Sequence, residues 1–256
     1  MCLILVGWRA RPGLELVVAA NRDEAYDRPT AASGWWPEAP GVLAGRDLRE
    51  GGTWLGVTRG GRLAALTNIR GRGAGVPGAR SRGLLVRDFL LSRDKAEGYA
   101  LRVGAEGDRY PPFNLLLFDG RELLALSNRA DGFRRLEAGV WGFSNGVLDE
   151  PWPKTVAGTR ALRGLLSQRI PEPGDLLALL SDDRPAPDGS LPETGIGLEA
   201  ERLLSPIFTR TQAYGTRSST VVLLSTEGSA SWTEIQTGPG SKADERVREE
   251  FRLEGP

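Results

Sequence analysis

Met1-Cys2-Leu3-Ile4-Leu5-Val6-Gly7-Trp8 opens the chain as a short apolar strand, and position 2 carries the only cysteine of 256 residues. Arg9-Ala10-Arg11-Pro12-Gly13 follows as a turn punctuated by Pro-Gly. Leu14-Glu15-Leu16-Val17-Val18-Ala19-Ala20 is then a second apolar run with β-branched residues at its centre. Two such runs across one turn predict an antiparallel hairpin. The second run is apolar nearly throughout, so burial on both faces is expected. It leads into Asn21-Arg22-Asp23-Glu24, four strongly polar residues that read either as a solvated turn or as the lip of a site.

Working outward, residues 51–58 and 62–68 predict another hairpin across Arg59-Gly60-Gly61. Residues 71–82 read as a loop rich in Gly and Arg. Its Gly71-Arg72-Gly73-Ala74-Gly75 lacks both a Walker lysine and a helix directly behind it, so it is a weak phosphate signal. Ser81 is placed to cap a helix running to about Leu91, with Leu85, Val86, Phe89 and Leu90 on one face. Asp94 is placed to cap a second helix to about Val103. Residues 113–118 and 122–127 predict strands joined by Asp119-Gly120-Arg121, an Asp-Gly hairpin turn. Residues 139–145 read as a short strand ending in a polar pair. Helices are expected over 153–168, with Val156, Leu162, Leu165 and Leu166 at helical spacing, and over 175–181. A polar, Pro-rich loop covers 182–192. Residues 216–225 and 229–237 form a last hairpin, before a charged tail expected to fray.

No βαβ alternation occurs in this order, which excludes a doubly wound parallel sheet. The expectation is an α+β chain folded as one domain over residues 1–256, with two antiparallel sheets packed face to face and helices outside.

Composition narrows the function. Lys+Arg and Asp+Glu both number 33, so the net charge is zero and no basic footprint for nucleic acid is evident. A single cysteine excludes an intramolecular disulfide and a cysteine-cluster metal site. The first apolar run breaks at Arg9 with no basic region before it, unlike a secretory signal. No apolar run approaches the roughly 20 residues that span a bilayer. A cytoplasmic protein with no integral membrane segment is the expectation.

The chain has no histidine. That removes Ser-His-Asp triads, Cys-His pairs and His-ligated zinc. A nucleophile must find its base elsewhere, and Cys2 has one to hand. Once Met1 is removed, the α-amine of Cys2 has a reference pKa of about 7.7–8.0 and can serve as general base. With Met1 retained, that nitrogen is an amide and the mechanism is blocked. The plain alternative is that Cys2 is a small buried hydrophobe.

Several motifs stand in one order: Met1-Cys2, Asn21-Arg22-Asp23-Glu24, Gly51-Gly52-Thr53-Trp54-Leu55-Gly56, Leu66-Thr67-Asn68, Ser81-Arg82-Gly83, Phe143-Ser144-Asn145 and Tyr214-Gly215-Thr216-Arg217-Ser218-Ser219-Thr220. Together they resemble the NRDE family, also called the transport and Golgi organisation protein family, over nearly the whole chain. The resemblance implies a relative of the N-terminal-nucleophile hydrolases and hence a four-layer αββα sandwich. The choloylglycine hydrolase branch of that fold implies roles here: Cys2 as nucleophile, Asp23 holding the α-amine, Arg22 contacting the thiol, and Arg217 as a late arginine near the nucleophile. Asn68 and Asn145 each end a strand with an amide side chain, and either is a candidate oxyanion donor. Arg22 and Asp23 are adjacent, which departs from the branch. Neighbours on a strand point to opposite faces, so both are expected to reach Cys2 only if the strand has ended by Asn21.

Two functions follow. One is an amidohydrolase with a Cys2-centred pocket acting on a small amide, the thiol made reactive well below pH 8 by Arg22 and Arg217. The other is a non-catalytic carrier or chaperone for haem or acyl-CoA- and lipid-type metabolites, as the family's links to trafficking imply. Neither requires a resident cofactor. Haem as a transported ligand could be held only by Cys2, Met1 or one of four tyrosines. Trp8, Trp54 and Trp141 are expected to supply apolar walls. A third, structural-adaptor reading would need an exposed apolar patch.

Overall fold

The structure is a computed structural model that describes residues 2–71, 78–148, 150–239 and 246–254. Met1 and most of the Gly71–Gly75 run therefore lie outside the described residues. The opening hairpin forms as the sequence predicts, from β1 (Cys2–Arg11) and β2 (Leu14–Ala25). Residues β3 (Thr30–Trp36), β4 (Ala39–Asp47), β5 (Leu55–Thr58) and β6 (Leu63–Asn68) follow, then α1 (Gly83–Leu91) and α2 (Ala96–Ala105). Next come β7 (Phe113–Phe118), β8 (Leu123–Ser127), β9 (Phe133–Arg135) and β10 (Gly139–Phe143). After α3 (Pro153–Gln168), α4 (Pro173–Leu180) and α5 (Leu198–Leu203), the chain closes with β11 (Tyr214–Ser225), β12 (Ser229–Gln236) and β13 (Arg246–Arg252).

The described strands make two antiparallel sheets. One has six strands in the order β10-β1-β2-β11-β12-β13, and the other has seven, β3 to β9 in sequence order. Period-2 alternation along β1 sorts its side chains. Ile4, Val6 and Trp8 enter the core between the sheets, whereas Leu3 and Leu5 enter the core beneath α3 and α4. The seven-stranded sheet packs its outer face on α1 and α2 through Leu85, Val86, Phe89, Leu90 and Tyr99. The layers therefore run helix, sheet, sheet, helix. This is the expected αββα order, reached because each sheet is apolar on both faces and each face needs a cover.

Five local expectations are corrected. Asn21-Arg22-Asp23-Glu24 is not a solvated turn, because β2 continues through it, paired on one side with β1 and on the other with β11. Residues 246–252 of the charged tail do not fray: they form β13, which pairs with β12 along its length. Ser81 does not cap α1, whose N-cap residue is Arg82, and Lys95 rather than Asp94 precedes α2. The first N–H of α2, on Ala96, instead donates to Asp119 Oδ2 at 3.0 Å. On α3, Val156 faces solvent, and the buried positions are Lys154, Gly158, Thr159, Leu162 and Leu166. Strands β3, β4 and β9 were not foreseen.

Candidate active site

Cys2 is the first residue of β1, buried at the end of the six-stranded sheet, where it lines a cavity of about 250 Å³ between the sheets. Antiparallel register sets Arg22 directly opposite Cys2, so both side chains lie on the inter-sheet face. Asp23 comes one residue later and turns to the helix-covered face. There its Oδ1 accepts from Thr216 Oγ1 at 2.7 Å and its Oδ2 from Thr209 Oγ1 at 3.4 Å. Its backbone N–H is hydrogen-bonded to the Cys2 thiol. Both polar neighbours thus address Cys2 although the strand has not ended, one with its side chain and the other with its main chain.

A bulge completes the arrangement. β11 pairs Thr216 with Asp23 and Ser218 with Arg22, which leaves Arg217 as the extra residue. The Arg217 guanidinium reaches back along the rim to donate to the carbonyls of Ala25, Tyr26 and Arg28 at 2.8, 3.2 and 3.1 Å. On the opposite wall a backbone contact joins two of the quoted motifs. A Cβ on Gly52 would stand 2.5 Å from the carbonyl carbon of Gly83, so only glycine lets the chain before β5 meet the start of α1. That approach, sealed by Thr53 N–H donating to Gly83 O at 3.1 Å, brings Trp54 and Arg82 to the cavity.

Electrostatics are mixed. Burial pushes the Cys2 thiol up from its ordinary value and Asp23 adds to the rise, while Arg22 and the Asp23 N–H oppose it. Burial thus works against the low-pKa thiol expected from Arg22 and Arg217, and favours the protonated form. Arg28 is committed to Asp47 at 2.5 Å. Arg82 donates to the Pro112 carbonyl at 2.9 Å, and neither Arg82 nor Arg217 has an ion pair among the described residues. Burial holds both guanidinium groups below their usual range.

The six candidate residues separate into two groups. Cys2, Arg22, Asp23, Asn68 and Arg217 line the cavity. Asn145 is fully buried behind it, and its Nδ2 donates to the Asn68 backbone oxygen at 2.8 Å, bracing the strand end that carries Asn68. Of the three tryptophans expected as walls, only Trp54 lines the cavity. Trp8 lies six residues farther along β1, about 20 Å away at strand rise, and Trp141 donates to the Glu137 carbonyl. None of the tyrosines lines the cavity, so Cys2 is its one soft ligand among the described residues. Those residues contain no cluster of three or more metal-ligating side chains, and no helix among them is long and apolar enough to cross a membrane.

Lys154 was missed. It is the second residue of α3, buried, with its Nζ 3.7 Å from Asp23 Oδ2. Its signal in the sequence was a lysine directly after Trp152-Pro153 at a helix start, where the helix dipole disfavours a cation.

Comparison with known proteins finds relatives over nearly the whole chain. A Transport and Golgi organization protein 2 homolog from Bos taurus is 36% identical over 282 aligned positions, spanning 99% of this chain and 100% of that one. A Mus musculus homolog is 33% identical across 91% of this chain and 92% of its own. The Drosophila melanogaster Transport and Golgi organization protein 2 is 27% identical, covering 89% of each. A solved structure, the Caenorhabditis elegans ortholog of N-acylethanolamine-hydrolyzing acid amidase, overlaps with a TM-score of 0.47 at 13% identity, covering 87% of this chain and 92% of that one. That overlap carries no inference about activity. The model of the family Transport and Golgi organisation 2, the same family as NRDE, matches residues 1–238, and the chain belongs to that family.

Proposed function

We propose that the Cys2 cavity is the active site of an amidohydrolase acting on a small amide that carries an anionic group. The observation that carries this reading is the junction at Cys2: a buried thiol opening on a cavity, Arg22 opposite it, and the Asp23 N–H on its sulfur. In the proposed reaction Sγ attacks the amide carbonyl and the thiol proton passes to the α-amine freed by loss of Met1. The C–N bond then breaks as that proton is returned to the leaving amine, leaving a thioester. Water hydrolyses the thioester by the reverse use of the same base. A thiol held protonated suits a base that removes the proton during attack, and does not suit a standing thiolate. Arg22 and the Asn68 amide, which line the cavity with Cys2, are the donors for the developing oxyanion in this reading. Arg82 and Arg217, half-buried at the cavity and without an ion pair among the described residues, favour an anionic substituent on the substrate.

A cavity of about 250 Å³ is smaller than typical ligand pockets of about 300–1,000 Å³. It suits a short acyl or amide group better than an entire macrocycle. A carrier role for acyl-type metabolites is the second reading, favoured by the raised thiol pKa, which disfavours spontaneous nucleophilicity. A panel of small N-acyl amides and lactams separates the two. The hydrolase reading expects cellular protein to have lost Met1 by intact mass, and expects a burst of one product per chain with acyl mass on Cys2, absent in Cys2→Ala. Saturable binding that survives Cys2→Ala, with no amide cleaved, establishes the carrier instead.

A further inference from the structure

The fold spends a buried lysine on the far side of this site. The Lys154 side chain is 1% exposed, too deep for its head group to reach water along the surface. Its Nζ has no hydrogen-bond acceptor within reach among the described residues, and its ion pair with Asp23 Oδ2 is long at 3.7 Å. Its position is otherwise adverse. It sits in the first turn of α3, where the helix dipole repels a cation. Arg70, held at 2.5 Å by Glu201, adds like charge from the chain just after β6. The charged groups that bear on Lys154 are thus Asp23 from β2, Arg70 and Cys2, and burial outweighs them to lower its pKa. A buried ion pair of this geometry contributes little or nothing to stability over an apolar pair of similar size. Packing alone does not explain a lysine here.

What Lys154 does face is the outer side of the residue whose N–H meets the Cys2 sulfur. Asp23 is held by Thr216, Thr209 and Lys154, all on the helix-covered face, while Cys2 opens on the opposite face. We propose that Lys154 is a positioning residue for Cys2, acting through Asp23: its ammonium balances and orients the Asp23 carboxylate, and so sets the field and the hydrogen bond that Asp23 presents to the thiol. Without the ammonium, the Asp23 carboxylate loses one compensating positive charge and thiolate formation is disfavoured. Without the carboxylate, the buried amine sheds its proton and its removal changes little. The proposal rests on Cys2 being the reactive group of the site, but its test reads the thiol directly and needs no turnover.

The experiment is a double-mutant cycle on Cys2 alkylation by iodoacetamide, followed across pH in the full chain: wild type, Lys154→Met, Asp23→Asn and the combined variant. The expected result is that Lys154→Met slows alkylation at pH 7.5 by about fivefold or more and moves the profile to higher pH, while the same change in the Asp23→Asn background alters the rate by less than about twofold. Equal losses in both backgrounds, no change in either, or faster alkylation in Lys154→Met overturns the proposal. Circular dichroism accompanies each sample. If Lys154→Met alone unfolds and the combined variant folds, the lysine is needed because of Asp23, as proposed. If both unfold, Lys154 is a fold residue independent of Asp23 and the proposal fails. An absence of any acyl-enzyme would retire the hydrolase reading and leave this cycle fully readable.

Discussion

The two helix layers cover their sheets by different means. Under α1 and α2 the contact is apolar, with Phe89 edge-on to Tyr99, ring centroids 5.1 Å apart, and a buried polar tip, the Tyr99 hydroxyl, donating to the Leu85 carbonyl at 2.7 Å. Under α3 and α4 the sheet presents polar groups as well. Asn21 Nδ2 donates to the carbonyls of Leu180 and Ile207, both at 2.8 Å, and its Oδ1 accepts from Ser219 at 2.7 Å. Asp23 and Lys154 lie beside it. The first layer only needs to exclude water. The second also anchors the strand end that holds Cys2, and buried polar groups fix geometry more sharply than interchangeable methyl groups because each must meet a partner.

The strongest way to break this contrast is Phe89→Ala. Phe89 is fully buried, and its loss should reduce stability by about 3–5 kcal/mol in denaturant unfolding while leaving Cys2 alkylation unchanged in the folded protein. A change in thiol reactivity would mean that the apolar layer also tunes the site. Asn21→Ala removes one side chain from three buried partners and should cost about 2–3 kcal/mol. Unlike Phe89→Ala, it should also alter the alkylation rate, because Asn21 precedes Arg22 and Asp23 on β2.

Asp119→Ala sharpens the apolar side. Asp119 is half-buried, which by itself would raise its pKa, but backbone N–H groups including Ala96 N–H hold it below the usual 3.8. Its folded-state pKa is depressed, so its stabilisation is present above about pH 3.8 and lost as pH falls through the folded value. The stability gap between wild type and Asp119→Ala, about 1 kcal/mol at neutral pH, should close in acid. A gap that persists at pH 2 would point to packing instead of capping. Ser81→Ala should be the mildest, within about 0.5 kcal/mol, because α1 makes no side-chain cap bond. A loss near 1 kcal/mol would restore Ser81 as a cap.

The sequence by itself determined the antiparallel fold class, most of the strands and the candidate nucleophile. Period-2 runs, Asp-Gly and Pro-Gly turns and the absence of βαβ order are local properties, and they specify antiparallel strands whatever their neighbours. The lack of histidine singled out Cys2 by elimination. Local signals failed where polarity was the guide. Asn21-Arg22-Asp23-Glu24 and the charged tail look solvated, but both are strands because a neighbouring strand supplies ladder hydrogen bonds that local composition does not encode.

Which residues meet was decided only by tertiary structure. Register places Arg22 opposite Cys2, and the bulge at Arg217 turns that side chain along the rim. Two glycines from distant motifs, Gly52 and Gly83, let the cavity walls approach. Asn68 and Asn145 look equivalent as strand-end amides, yet one lines the cavity and the other braces it from behind. Lys154 shows the limit most clearly. A lysine in a helix reads as a solvated charge, and only the docking of α3 across β1 buries it beside Asp23, because the cost of burying an ammonium depends on which carboxylate the fold brings to it.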